Sequence, residues 1–236
     1  MTLQPIWITD DAPVHAFPDV EYALTQPNGL LAVGGDLSPA RLMHAYRRGI
    51  FPWFSDGQPI LWWAPDPRAV LFPEDLRVSR SLGKTIRRQV FEVRFDTAFD
   101  EVIRACAAPR ARQNDTWITG HMIRAYRELH ALGHAHCVET WQGDRLLGGL
   151  YGVAIGGVFF GESMFSRESD ASKVALHALC RQGYRLVDCQ LPSAHLTRLG
   201  ATSVPRASFT RMLARWCELP RVELPVVQRA GRPARA

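Results

Sequence analysis

Residues 135–165 read AHCVETWQGDRLLGGLYGVAIGGVFFGESMF. Apolar runs flank Gly143-Asp144, and a third run follows Gly156-Gly157. Short Gly-containing breaks between such runs are turn signals. The stretch therefore predicts an antiparallel meander, with strands over 135–142, 145–154 and 158–165. Upstream, Thr119 opens a helix with Met122, Ile123, Tyr126 and Leu129 on one stripe, and Gly133 closes it. Before that, 97–108 reads as a helix, and 91–95 and 68–72 as strands. Ser79 caps a helix bearing Lys84, Arg87 and Arg88 on one face, with Leu82 and Ile86 on the other. Downstream, Ser169 or Asp170 begins a helix to about 182, 185–189 is a short buried strand, and 196–201 closes a helical turn. Ser208 is expected to cap a last helix with Phe209, Met212, Leu213 and Trp216 on its stripe.

Residues 1–66 differ in texture. They are dense in Pro, Gly and Trp, and 27–39 (PNGLLAVGGDLSP) reads as mostly turn punctuation. Ser38 then caps a short helix to about residue 48, with Pro39 at its first position. The expected architecture is α+β: a small N-terminal α/β domain over 1–66, then a mixed-sheet domain over 67–236 with a loose tail from about 220. A meander, a helix, a strand and a Leu-Gly-Ala turn into a last strand parallel the acetyltransferase-like (GNAT-like) order, an analogy of fold and not of function.

Composition bounds the chemistry. The 236 residues are 47% hydrophobic and 22% charged, so a core forms without staples. A net charge of +5 favours acidic partners, nucleic acid first, although many basic enzymes bind none. Five widely spaced cysteines without a C-x-x-C argue against disulfides and a thiolate metal site, and fit a reducing compartment. There is no run long and apolar enough to span a membrane and no signal-peptide pattern, so the expectation is a cytoplasmic protein without a membrane partner.

Asp188-Cys189-Gln190 ends the short strand at 185–189, where open α/β sheets present their sites. A carboxylate two residues from an amide shares its strand face, so Asp188 is expected to orient the Gln190 amide and leave the carbonyl free for an attacking amine. The alternative is an Asp that caps the next turn. Glu162 lies in an apolar strand, where a charge needs a partner or a task, unless it faces solvent on an edge. Strict alternation sets Phe159 and Glu162 on opposite sides. Glycines at 156, 157 and 161 permit a bulge that brings both to one cleft. Arg77 and Arg80 add to Lys84, Arg87 and Arg88, a phosphate-tracking patch or an ordinary solvated face. Trp53, Trp62 and Trp63 either stack on a base or fill a small core. His130, His134 and His136 need not converge on a metal, and no metal is expected. Cys189 has no local histidine partner apart from the nearby His195. There is no phosphate-binding Gly-rich loop, and no Arg/Gln-x-x-Gly-x-Gly run for acetyl-coenzyme A.

Longer motifs go further. PNGLLAVGGDLSP at 27–39 and RGIFPWFSDGQPILWWAPDPRAVL at 48–71 resemble the N-terminal signature of the leucyl/phenylalanyl-tRNA–protein transferases. DTWIT at 115–119, GHAH at 133–136, GESMFSR at 161–167, ASK at 171–173 and DCQ at 188–190 resemble that family in the same order, across roughly 17–215. The one departure is Ala64, where a serine is common. The resemblance implies transfer of Leu, Phe or less often Met from aminoacyl-tRNA to an N-terminal Arg or Lys of acceptor proteins, marking them for the N-degron pathway. It implies no cofactor and a monomer. It further implies catalytic roles for Asp188, Gln190 and Glu162, and aromatics near the aminoacyl-adenosine at Trp53 and Trp117. Leu150, Phe159, Met164, Leu176, Leu179 and Val187 would line a side-chain pocket, and Arg77, Arg80, Lys84, Arg87 and Arg88 would face the tRNA. An acetyl-coenzyme A-dependent acetyltransferase and a non-catalytic tRNA-binding module remain the rival readings.

Overall fold

The computed structural model describes residues 4–108 and 118–225. Two mixed sheets organise them. The first has the order β1 (Ile6–Ile8), β2 (Leu30–Gly34), β4 (Leu61–Trp63), β3 (Phe51–Pro52), with α1 (Pro39–Arg47) between β2 and β3. The second is seven-stranded, in the order β11 (Thr202–Val204), β5 (Arg68–Leu71), β10 (Leu186–Gln190), β9 (Val158–Ser166), β8 (Arg145–Ile155), β7 (Ala135–Gln142), β6 (Glu92–Phe95). The meander β7–β8–β9 is antiparallel throughout, and β10 joins it in parallel with β9. Such a junction requires a crossover. That crossover is α5 (Ala171–Cys180).

Helices cover both faces of this sheet. Along β8, Tyr151, Val153 and Ile155 join a core shared with α3 (Phe99–Ala107) and α4 (Gly120–Ala131). Leu150 and Ala154 join the α5 side with Phe159, Leu176, Leu179 and Val187. A strand buried on both faces reads as continuously apolar rather than alternating. The α3/α4 core also takes in Leu42, Ala45, Tyr46, Phe51 and Trp62 from the first sheet and α1, so one hydrophobic cluster ties the two sheets together. α2 (Arg80–Arg87) packs Leu82 against Ala171 and Val174 of α5. α6 (Ala194–Arg198) and α7 (Arg206–Trp216) complete the fold.

Two local expectations need correction. The 27–39 stretch holds β2, pairing β1 in parallel and β4 in antiparallel fashion. Its partners lie some thirty residues away on either side, beyond the reach of local turn signals. The last helix begins at Arg206, not after Ser208. Its first N–H groups find a remote acceptor: the Arg206 amide donates to Asp66 Oδ1 at 3.0 Å. Such a cap leaves no local signature.

Two bulges interrupt the centre of the large sheet. Between β8 and β9, Tyr151 pairs with Ser163 and Gly152 with Gly161, which leaves Glu162 as the extra residue. Between β10 and β5 the register slips at Asp188/Gln190. Gln190 sits at φ +55° there, a left-handed conformation uncommon for a non-glycine residue.

Candidate active site

The two bulges face each other across the β9–β10 seam, where Glu162 and Gln190 meet: Gln190 Nε2 donates to Glu162 Oε1 at 3.3 Å. An extra residue in a strand re-aims a side chain. Without it, Phe159 and Met164, five residues apart, would fall on opposite faces. With it, both pack in the α5-side cluster. The bulge expected from the glycines is therefore present, and Phe159 and Glu162 line one cleft.

Glu162 is held from below. Tyr46 of α1 donates to its Oε1 at 2.7 Å and Tyr126 of α4 to its Oε2 at 2.9 Å. The two tyrosine hydroxyls also lie within hydrogen-bond reach of each other, but with one proton apiece they cannot fill that contact while both donate to Glu162. Burial pushes the Glu162 carboxyl up to about 7, and the nearby negative charge of Asp188 adds to this. The tyrosine hydrogen bonds and Arg68 pull the other way. Both tyrosines are themselves raised well above the phenol range, by burial first and then by the Glu162 charge. They therefore stay protonated and act only as donors toward an ionised Glu162.

Asp188 is fully buried and already engaged. Arg68 grips it with two parallel bonds, Nε to Oδ1 at 2.8 Å and Nη2 to Oδ2 at 2.7 Å. Arg68 also donates to the Gly49 carbonyl at 2.9 Å and lies between the Phe51 and Phe209 rings, 4.7 Å from each centroid. The remaining bond of Asp188 comes from the Gln190 backbone N–H at 3.0 Å. This corrects the expected contact between Asp188 and the Gln190 amide. Asp188 fixes the strained backbone of Gln190, whereas the Gln190 side chain is held by Glu162. An ionised carboxylate can only accept, so it takes the NH2 side of the amide and turns Oε1 away. Among the described residues, nothing donates to that oxygen.

Beside this pair opens a cleft of about 480 Å³. Leu150, Phe159, Met164, Leu176, Leu179 and Val187 line its apolar part, and Glu162, Asp188 and Gln190 its polar part. Gly152 lets β9 bulge against β8, because a Cβ there would run into the Phe160 carbonyl oxygen and sit 2.6 Å from the Phe159 ring. Ser193, His195 and Leu196 complete the wall from the α6 side. A second hollow, of about 550 Å³ between α2, β6 and α5, holds one carboxylate, Glu92. Arg94 neutralises it at 2.7 Å, so that hollow has no reactive set.

Apart from Cys189 and His195, which line the cleft, the other candidate residues lie outside it. Trp53 is 39% exposed and tilts against Trp63 at 5.6 Å, while Trp62 is buried core. Trp117 lies outside the described residues. Arg77, Arg80, Lys84, Arg87 and Arg88 are all exposed on or just beside α2, and among the described residues none of them forms an ion pair. Ser79 caps that helix, accepting from Leu82 N–H at 3.2 Å. His136 turns to Asp96 at 2.6 Å and His130 to the Ala135 carbonyl at 2.8 Å. Cys189 is half-buried at the cleft wall, where desolvation drives its thiol far above the ordinary range and keeps it protonated.

Sequence reasoning missed Arg68, Tyr46 and Tyr126 as parts of the site. Arg68 carried a usable signal: a charge inside the apolar strand R-A-V-L, which is the criterion that singled out Glu162. The tyrosines carried none, since each sits on an apolar helix stripe and reads as core.

Comparison with known proteins adds to this geometry. Residues 70–214 match the model of the family described as "Leucyl/phenylalanyl-tRNA protein transferase", and residues 35–66 match that of its N-terminal domain. A relative of the same name from Pseudomonas syringae pv. syringae is 58% identical over 208 residues, 86% of this chain and 91% of its own. One from Nitrosomonas europaea is 59% identical over 208 residues, 86% of this chain and 88% of its own. One from Aromatoleum aromaticum is 60% identical over 204 residues, 85% and 86% respectively. Among solved structures, L-PGS from Bacillus licheniformis overlaps 70% of this chain and 54% of its own, at 9% identity and a TM-score of 0.37. A GCN5-related N-acetyltransferase from Kribbella flavida overlaps 71% of this chain and 61% of its own, at 13% identity and a TM-score of 0.34. The mixed α+β class stated above rests on the strand order itself.

Proposed function

The chain belongs to the leucyl/phenylalanyl-tRNA–protein transferase family, an enzyme family that passes aminoacyl groups from tRNA to proteins, and from that premise we propose the substrates and the chemistry of its cleft. The donors are Leu-, Phe- and, less often, Met-tRNA. The acceptor is the N-terminal Arg or Lys of a protein, which the added residue marks for N-degron degradation. The enzyme works as a cytoplasmic monomer, with residues 1–66 as one domain and 67–236 as the catalytic one. Family models that meet between residues 66 and 70 support that division. Among the described residues, no helix is long and apolar enough to cross a membrane.

One observation carries the chemical reading: an apolar cleft ends on a carboxylate–carboxamide pair, Glu162 and Gln190. An aminoacyl ester is already activated, so the main tasks are positioning and one proton transfer. In this reading Leu, Phe or Met buries its side chain among Leu150, Phe159, Met164, Leu176, Leu179 and Val187, at about 0.8 kcal/mol per buried CH2. The free Oε1 of Gln190 accepts an N–H of the acceptor's α-amine and aims the nitrogen at the ester carbonyl. The C–N bond forms, the proton passes to Glu162, and the ester C–O bond breaks. Glu162 then returns the proton to the departing ribose oxygen. A carboxyl near 7 suits this exchange with an amine whose pKa is roughly 7.7–8.0. Asp188, neutralised by Arg68, acts through the backbone of Gln190 as a positioning residue.

The test incubates the protein with radiolabelled Leu-tRNA and a peptide beginning with Arg. Label on the peptide is expected. Label that stays on the tRNA would leave a binding module, and turnover with acetyl-coenzyme A instead would favour the acetyltransferase rival.

The unpaired cations of α2 suit phosphate contact, which is largely independent of sequence and weakens with salt. Arg87→Glu with Arg88→Glu is expected to raise the KM for Leu-tRNA and Phe-tRNA alike, by tenfold or more at moderate salt. A changed Leu-to-Phe preference in steady-state assays would contradict this assignment.

A further inference from the structure

We propose that Lys173, His195 and Arg198 form a seat, on the α5/α6 rim of the cleft, for the phosphodiester that joins the terminal aminoacyl-adenosine to the rest of the tRNA. This rests on the transferase reading above. Lys173 lies three residues before Leu176 on α5, so the two share a helix face. Leu176 lines the cleft, which puts Lys173 one turn along the same wall. His195 lines the cleft directly, and Arg198 follows it by three residues on α6. Burial lowers the His195 pKa first, and the positive charges of Lys173 and Arg198 lower it further.

Nothing in the fold uses this cluster fully. Among the described residues, the ring nitrogens of His195 have no hydrogen-bond partner, although the side chain is half-buried at the cleft wall. Among the described residues Arg198 is exposed and unpaired, and of the three only Lys173 has a partner, Asp170 at 2.8 Å. An anion at this rim would find donors on all three residues, two of them without a protein partner among the described residues. The cleft serves two substrates of opposite character, a polyanion and a chain whose N-terminus is cationic. This rim repels the second and attracts the first. α2 meets the same helix with its apolar face, Leu82 packing on Ala171 and Val174.

The experiment uses the full chain and two non-hydrolysable probes: phenylalanine amide-linked to adenosine, and the same group on a CCA trinucleotide, which adds phosphodiesters but no acceptor stem. Wild type is expected to bind the trinucleotide about tenfold more tightly than the nucleoside, the scale of charge-assisted hydrogen bonds. His195→Gln with Arg198→Ala should bring that ratio to about 1. Because the readout is a ratio, general damage to the cleft, which weakens both probes together, leaves it unchanged and counts against the seat. Histidine NMR supplies a second measurement: the trinucleotide, and not the nucleoside, should raise the titration midpoint of His195. If both probes bind and the ratio survives in the double variant, the seat is wrong and the transferase reading stands. If neither probe binds wild type, both fall.

Discussion

Glu162→Gln is expected to lower the rate of peptide-bond formation by about 10²–10⁴-fold at saturating Leu-tRNA, the range for loss of a general base. Glutamine keeps the volume, its Oε1 can accept from one tyrosine and its NH2 can donate to the hydroxyl of the other, so the cleft should retain its shape. It cannot take the proton from the attacking amine. Single-turnover rates with preformed Leu-tRNA and an Arg-peptide check this, and a variant within threefold of wild type would remove Glu162 from the proton path. The pH profile sharpens the test. With the carboxyl pushed up to about 7, wild-type turnover should fall as pH drops through that value, because the base becomes occupied. The hydrogen bond from Tyr126 lowers the Glu162 pKa, so Tyr126→Phe should move the acid limb to higher pH. The acceptor amine is the same in both proteins, so the difference between their profiles isolates Glu162.

The same group makes a stability prediction of opposite sense. A carboxyl that releases its proton near 7 when folded, but near 4.5 when unfolded, stabilises the native state fully only below the lower value. That contribution is lost as pH rises through 7. Thermal melts of Glu162→Gln should therefore overtake wild type between pH 5 and 8, by up to about 3 kcal/mol before partial solvation is allowed for. Function and stability pull against each other at this position, as expected for a buried catalytic charge.

Arg68→Leu is expected to cost about 3–5 kcal/mol, because it leaves a wholly buried Asp188 carboxylate without its counter-ion. Only the Gln190 N–H would remain to satisfy it. The cation–π contacts with Phe51 and Phe209 would go as well. Denaturant unfolding measures the loss. The double variant Arg68→Leu/Asp188→Leu separates two roles of the pair. With no charge left to bury, stability should recover substantially, since a buried ion pair often does no better than apolar residues of similar size. Activity should not recover, because the φ +55° backbone of Gln190 has lost the carboxylate that fixes it. A double variant that is both stable and active would show that Asp188 and Arg68 are merely structural.

Much of the fold was legible because its signals are local. The meander follows from Gly143-Asp144 and Gly156-Gly157 between apolar runs, and the caps at Ser38, Ser79 and Thr119 each stand where the helix begins. The last helix misled because its first amide is met by Asp66, 140 residues away. The 27–39 stretch misled because β2, five residues among glycines, is defined by its partners on either side and not by its own pattern.

What the sequence determined by itself was composition along the cleft: which positions are apolar, where glycines let strands bulge, that Glu162 stands inside an apolar strand, and that Asp188 and Gln190 close a short one. Only the tertiary structure decided who touches whom. Two strands carry the polar trio, but their partners come from β5, α1 and α4, brought in by packing across the sheet and between the two sheets. A carboxylate's protonation depends on the field and solvation within a few ångströms. That neighbourhood is assembled from segments up to 120 residues apart, so no local pattern could tell that Asp188 is spent on Arg68 while Glu162 is left poised near neutrality.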